Sequence, residues 1–260
     1  MKYTTIKVSN IDYVATITIN RPHARNSLTA ATIDELIHAF KEVGSSDRTR
    51  SVLLTGEGTE SFCAGADIKA LQEQATPDAR REFFGSLAEL VQAIRRCPVP
   101  VVTAIHGFAL AGGCGLAAAS DICIAADDAV FGLPEVGIGL APMVVMAPIS
   151  RSIHTRGLSL LALTGERIDA ARALALGLIS EVVPKASLTT RAREVCQTIT
   201  KQGPDAIKAT KAAMLELSER DFDSVIHELA DTSAIVSLGA EASEGIRAFT
   251  EKRSPAWKNR

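Results

Sequence analysis

Aromatic residues are scarce in this 260-residue chain, at 4% with one tryptophan and two tyrosines, and the two signs of charge nearly cancel at a formal −2. That balance, with lysine and arginine scattered along the chain, removes the electrostatic case for a nucleic acid or an anionic membrane surface as partner. No apolar run reaches the ~18 residues of a membrane span. Met1 to Asn10 alternate like a strand and lack the apolar core of a signal peptide. These absences lead to the expectation of a soluble, unprocessed, cytoplasmic protein. The five cysteines (Cys63, Cys97, Cys114, Cys123 and Cys196) form no C-x-x-C pair and no zinc spacing, which suits reduced thiols and offers no metal site.

What the chain does have is apolar mass, 47% of its residues, enough for one large domain with a sizeable core. Strand patterns come first. Ile6 to Val8 and then Tyr13 to Ile19 alternate with period two up to the breaker Asn20-Arg21-Pro22. Thr29 is placed to cap a helix whose apolar positions Ile33, Leu36, Ile37 and Phe40 recur until Gly44. Ser51 to Gly56 is a short buried strand. The polar stretch Gln72 to Arg81, with Pro77, is expected to be a mobile helix-loop before the amphipathic helix marked by Phe83, Leu87, Leu90 and Ile94. Val101 to Ile105 and Asp121 to Ala125 are strands flanking a short helix over Leu116 to Ser120. From about Ser150 onward the pattern is almost wholly helical, so an α/β core, residues 1–195, is expected to precede a helical region, residues 196–260.

Two runs of small residues stand out against this frame: Ser61-Phe62-Cys63-Ala64-Gly65-Ala66-Asp67-Ile68-Lys69, and His106-Gly107-Phe108-Ala109-Leu110-Ala111-Gly112-Gly113-Cys114-Gly115. Each lets backbone amides approach a ligand closely. Together they can clamp one oxygen atom between two N–H groups, which is what stabilising an enolate requires. A dinucleotide site is the competing reading, because Gly113-x-Gly115-x-x-Ala118 fits G-x-G-x-x-A with Glu135 further on. The helix after the glycines is too short for it, since a βαβ unit takes about thirty residues.

The arrangement resembles the enoyl-CoA hydratase/isomerase superfamily, the crotonases. The likeness is carried by Asn20-Arg21-Pro22-x-x-x-Asn26-Ser27-Leu28, the Phe62 to Lys69 run, Gly107-x-Ala109-x-x-Gly112-Gly113-Cys114, Asp121, Phe131-Gly132-Leu133-Pro134-Glu135, Leu163 to Ile168, Ala175 to Ile179, and Glu244-Gly245-x-x-Ala248-Phe249-x-Glu251-Lys252-Arg253. It implies a spiral of repeated ββα units with a helical C-terminal trimerisation region, and an acyl-CoA thioester as substrate, with coenzyme A part of that substrate and no separate cofactor. The resemblance also implies oxyanion-hole N–H groups at Ala64 and Gly112, and a CoA pocket lined by Ala64, Gly65, Ala66, Asp67 and Ile68. His23 and Arg25 would meet the CoA phosphates, with Phe249 and Lys252 completing the site across a subunit boundary in a homotrimer or a hexamer built as a dimer of trimers.

The chain departs from the family's two-glutamate hydratase pattern at Gly115, where the first carboxylate would stand, and keeps only Glu135. Moving a double bond from β,γ to α,β needs one base, so the pattern is similar to Δ3,Δ2-enoyl-CoA isomerases. The acyl side of the pocket, Ala141 to Pro148, is bulkier and more apolar than the family's glycine-rich stretch, and puts Met143 and Met146 with Gly115 at the substrate. Hydration by the same enolate site stays open beside isomerisation, and decarboxylation or hydrolysis of an acyl thioester, and non-catalytic acyl-CoA binding, remain as alternatives. Cys63 and Cys114 are read as small apolar fillers, Asp67 as a cap, and His106 as a core histidine.

Overall fold

The computed structural model describes residues 2–259, so Met1 of the expected amino-terminal strand lies outside the described residues. The chain opens with a hairpin of β1 (Ile6–Ile11) and β2 (Val14–Ile19), closed by Asp12 and Tyr13, both at positive φ as a tight two-residue turn requires. Helix α1 (Ala30–Ser45) starts at Thr29, whose hydroxyl accepts from Thr32 N at 3.2 Å. Next come β3 (Ser51–Gly56), β4 (Ser61–Cys63), α2 (Ile68–Glu73) and α3 (Pro77–Arg95). The stretch Gln72 to Arg81, expected to be a helix-loop, holds the end of α2, a loop at residues 74–76 and the first turn of α3. Thr76 caps the helix through Ala79 N, and Pro77 takes the first helical position, where no N–H is needed.

The middle of the chain repeats one unit. Strands β5 (Val101–Ile105) and β6 (Phe108–Leu110) lead into α4 (Gly112–Ala119); β7 (Ile122–Ala126) and β8 (Val130–Gly132) lead into α5 (Met143–Ser152). The first strand of each pair joins a six-stranded sheet, in order β1-β2-β3-β5-β7 and then β10 (Glu181–Val183). The second joins a four-stranded sheet, β4-β6-β8 and then β9 (Arg167–Asp169). Helix α6 (Thr155–Thr164) precedes β9, and α7 (Ala170–Leu176) connects β9 to β10. The stretch expected to be wholly helical thus supplies the last strand of each sheet. β10 pairs in parallel with β7, and β9 antiparallel with β8.

Helices α1, α3, α4 and α5 pack on one another in succession and share one apolar core with a face of the large sheet, while α8 (Leu188–Thr200) covers the other face. Val102, Ala104 and Ile124 meet Leu188, Ala192 and Cys196 there. Burial on both faces explains why these strands read as continuous apolar runs. It also means that the expected boundary at residues 195/196 cuts α8 in a buried stretch; the arm that stands apart begins afterwards, with α9 (Pro204–Glu219), α10 (Phe222–Ser237) and α11 (Ala240–Thr250) packed on one another. Lys211 of α9 fastens this arm to the core, its Nζ donating to Asp121 Oδ2 at 2.6 Å and to Val99 O at 3.1 Å. Asp121 Oδ2 also accepts from Val101 N at 2.7 Å, joining α9 to the mouths of β5 and β7.

Candidate active site

The loop after β4 is held by a one-residue parallel bridge between Leu28 and Ala66. Its bonds come from the neighbours: Leu28 N donates to Gly65 O at 2.8 Å, and Asp67 N donates to Leu28 O at 2.9 Å. Ala66's own N–H therefore turns to the opposite side, where it has no acceptor among the described residues and where Ala66 lines a cavity. Ala64 differs. Its N–H donates to Arg25 O at 3.1 Å, so the donor expected from the sequence is already engaged, and the unengaged one stands two residues further on. Gly65, at φ +94°, makes the reversal possible; a β-carbon there would stand 2.6 Å from Ala111 Cβ and 3.1 Å from Gly112 N.

Those two contacts bring the second glycine run against the first. Gly112 opens α4 without a side-chain cap, leaving its N–H free at the positive end of the helix. Ala111 before it sits at φ +51°, ψ −119°, a conformation that glycine adopts freely and alanine only under strain of about 1–3 kcal/mol. It is held there by its N–H to Gly132 O at 2.9 Å and by Gly115 N to its own carbonyl at 3.1 Å.

Glu135 lies just beyond Gly132, in the first turn of the 3-10 helix Pro134–Ile138. Its Oε2 is buried and has no hydrogen-bond partner among the described residues. Burial pushes its carboxyl above the ordinary glutamate range, against the smaller opposing effect of its own backbone N–H. The cavity it shares with Ala66 and Gly112 has a volume of about 460 Å³. Leu71 of α2 with Phe84 and Leu87 of α3 form one wall, and Met143, Val144 and Val145 of α5 another; of the 18 lining residues only Glu135 has a polar side chain. A lone carboxylate with raised basicity, beside two free backbone donors in an apolar chamber, can move a proton next to a carbonyl whose oxygen becomes an anion.

The remaining sequence-derived positions divide. Ile68 and Met143 line the cavity. Met146 does not, packing instead against the core, and Gly115 is buried under Val145 of α5, away from the lining. His23 and Arg25 are exposed on the loop that buried Asn26 ties down, through bonds from Nδ2 to Glu57 O and Ser61 O at 2.9 and 2.7 Å. Asp67 caps α2 and pairs with Arg21 at 3.0 Å; burial alone would push its carboxyl up, but bonds from Ala70 N, Arg21 and Ser27 hold it below the usual range. Phe249, 87% exposed, and Lys252 stand at the end of α11, outside the lining. The Cys63 and Cys114 thiols are pushed up to about 12 by burial, which leaves them inert. His106 is buried where β5 joins β6, its imidazole held below the ordinary range by burial and then by Lys185.

Sequence reasoning missed Phe84, Leu87 and Val145 as cavity walls, although the amphipathic period of α3 had already put Leu87 on an inward face. A second hollow of about 430 Å³ lies in the arm, beside Gly203, Val236, Glu241 and Trp257. Of its two lining carboxylates, Asp205 and Glu241, the latter is occupied by the N–H groups of Asp205 and Ala206 at the start of α9. Among the described residues no group of three His, Cys, Asp or Glu side chains could hold a metal, and no helix is long and apolar enough to cross a membrane.

Comparison with known proteins agrees with this geometry. The family model for enoyl-CoA hydratase/isomerase matches residues 10–260, and the chain belongs to that family. It is 35% identical over 250 residues to the short-chain-enoyl-CoA hydratase of Clostridium acetobutylicum, covering 95% of each chain. It is 34% identical to the crotonyl-CoA hydratase of Syntrophomonas wolfei, covering 97% of each. Among solved structures, an enoyl-CoA hydratase from Mycobacterium smegmatis superposes with a TM-score of 0.94 at 30% identity, covering 98% of this chain and 99% of that one. The protein is thus an acyl-CoA-processing enzyme of the hydratase/isomerase type.

Proposed function

We propose that the enzyme holds the carbonyl oxygen of an enoyl-CoA thioester between the N–H groups of Ala66 and Gly112 and uses Glu135 as its single base, moving a double bond between the β,γ and α,β positions. The observation that carries this reading is the meeting, in one apolar cavity, of two unengaged backbone donors and a lone carboxylate with an unpartnered oxygen. Glu135 takes a proton from Cα, and the C–H electrons pass into a dienolate whose negative oxygen faces the two N–H groups. The electrons then return as the Cα–Cβ double bond while the same proton is delivered to Cγ, so atoms balance and nothing is oxidised. The positive end of α4 favours the anion, and water exclusion strengthens both donors.

The CoA moiety is assigned to the loop bearing His23 and Arg25 and to the backbone of Ala64 to Ile68, with Phe249 and Lys252 contributed by a neighbouring copy. Four apolar side chains of the arm, Ile235, Leu238, Ile246 and Phe249, are 63–87% exposed, which supports self-association as a homotrimer or a dimer of trimers. Hydration is the second reading, favoured by the names of the relatives; it would require Glu135 to orient a water. Paired Δ2- and Δ3-enoyl-CoA substrates, followed for migration and hydration together, test the assignment with Glu135→Gln as control. That variant should bind the thioester and lose about 10²–10⁴ in turnover. Retention of more than roughly a tenth of wild-type turnover would remove Glu135 as the base.

A further inference from the structure

We propose that Arg21 is a positioning residue of the oxyanion site, aiming and polarising the Ala66 N–H through two peptide groups joined in series by hydrogen bonds. This rests on the reading of Ala66 as a donor to the thioester oxygen given above, and adds the residue that prepares that donor.

The Arg21 guanidinium is mostly buried and forks. Its Nη1 donates to Ser27 O at 2.5 Å and to Ser27 Oγ at 3.1 Å, while Nη2 donates to Asp67 Oδ2 at 3.0 Å. Ser27 O belongs to the peptide whose N–H is that of Leu28. That N–H donates to Gly65 O at 2.8 Å, and Gly65 O belongs to the peptide whose N–H is that of Ala66. The order is therefore guanidinium, peptide 27/28, peptide 65/66, cavity. In a trans peptide the carbonyl and the N–H point in opposite directions, so both dipoles run the same way, carbonyl toward Arg21 and N–H toward the substrate's oxygen.

A carbonyl that accepts a hydrogen bond makes the N–H of its own peptide a better donor, by about 10–30% per bond along such a chain. Here the first donor is a cation, which makes the first bond the strongest. Ser27 and Leu28 are buried, so water does not compete for the links. Asp67 Oδ2 balances the guanidinium and Oδ1 takes Ala70 N, so the pair is close to neutral at a distance and its influence on the cavity runs along the bonds. The fork also fixes geometry: it grips the residue before Leu28 and the residue after Ala66, the two sides of the bridge that sets where the Ala66 N–H points. A lysine, with one point of charge, cannot hold both. Gly112 takes its field from the free end of α4, whereas Ala66 lies before the cap of α2 and has no such helix behind it. Arg21 supplies to the first donor what the helix supplies to the second.

A neutral pair, Arg21→Met with Asp67→Asn, removes the head of the chain and keeps a capping residue before α2. Replacing the peptide link to Leu28 by an ester, with the α-hydroxy analogue of leucine, cuts the chain in its middle and leaves Arg21 in place. Both changes and their combination are followed by kcat and KM, by thermal melting, and by the infrared carbonyl band of a bound saturated acyl-CoA, isotope-labelled at the thioester carbonyl, which has no double bond to move. In wild type the band should lie below that of the free thioester in water. The neutral pair should move it back toward the free value and lower kcat about three- to thirtyfold, part of the ~10²–10³ that a whole donor is worth, with KM within a few-fold. The combination should match the ester alone to within about twofold, because a chain already cut carries nothing from Arg21. Lys211→Ala, destabilised far from the cavity, should keep both kcat and the band. A combined loss equal to the product of the separate losses overturns the proposal, as does a kcat loss in the neutral pair without a band shift, which decides the matter if the ester does not fold. Should the neutral pair not fold, Arg21→Lys takes its place, keeping the charge and losing the fork: about a threefold or greater fall in kcat with a band shift supports the proposal, and wild-type values overturn it. A lowered wild-type band that no change at Arg21 moves refutes the link to Arg21 alone, whereas a wild-type band that is not lowered brings down the reading of the donors as well.

Discussion

Replacing the peptide link to Ala66 by an ester, with the α-hydroxy analogue of alanine at that position, deletes one N–H and leaves the side chain in place. If the Ala66 N–H faces the developing oxyanion, its loss costs about 2.7–4 kcal/mol of transition-state stabilisation, or 10²–10³ in turnover. The loss should fall on kcat rather than KM, because the donor matters most when the oxygen is an anion. The same replacement at Ala64 is the control. There the deleted N–H serves Arg25 O at 3.1 Å, a structural bond worth about 0.5–1.5 kcal/mol, so stability should drop while kcat stays within a few-fold. An ester carbonyl is also a weaker acceptor, and Gly65 O accepts from Leu28 N at 2.8 Å, so the Ala66 variant needs its melting temperature and CoA-ester affinity measured first. Near-normal kcat in a folded Ala66 ester, or an equal loss at Ala64, would refute the assignment of donors.

Glu135 should report itself in two pH profiles: kcat/KM should fall on the acid side above the ordinary glutamate pKa, and Glu135→Gln should melt higher than wild type at neutral pH. Because the folded-state pKa is raised, the wild-type carboxyl is harmless at low pH and destabilises the fold as pH rises through that value, so the melting advantage of the variant should vanish in acid; its absence at neutrality would contradict the burial argument. Lys211→Ala should cost about 1–3 kcal/mol by leaving Asp121 and Val99 O without their partner, measured by denaturant unfolding; no change would mean the arm is fastened elsewhere. Leu238→Asp, at a site 83% exposed, should shift the protein to smaller species in light scattering behind size exclusion, whereas an unaltered mass would take this face out of any interface.

Where local chemistry alone decides conformation, the sequence was legible. Thr29 with the period of α1, and the short apolar run of β3, mark their elements because cap, period and breaker agree. Gln72 to Arg81 was read as a helix-loop without its helix start, because a proline at the first position of a helix and one inside a loop look alike until the cap before it is recognised. Helix α5 escaped notice because Pro142 and Pro148 bracket an apolar run with no polar face, and Pro148 is tolerated inside it only by tertiary packing. β9 and β10, three residues each, are strands only because a neighbour pairs with them. The catalytic loop follows the same division: its composition announced backbone donors, but which N–H is free depends on the bridge to Leu28, thirty-eight residues away from Ala66, and no local pattern encodes that. Gly115 was visible as a missing carboxylate, while the valine that fills its space was not.

The bond from Ala111 N to Gly132 O has a consequence for how substitutions here combine. Gly112 follows Ala111 by one residue and Glu135 follows Gly132 by three, so a single main-chain link sets the separation between the group proposed to receive the substrate's oxygen and the group proposed to receive its proton. The two halves of the chemistry are gauged against each other, as jaws on one spindle, and neither loop can drift without carrying the other. Substitutions on the two sides of that link are then not independent, and their effects on rate should fail to add even where the altered residues never touch.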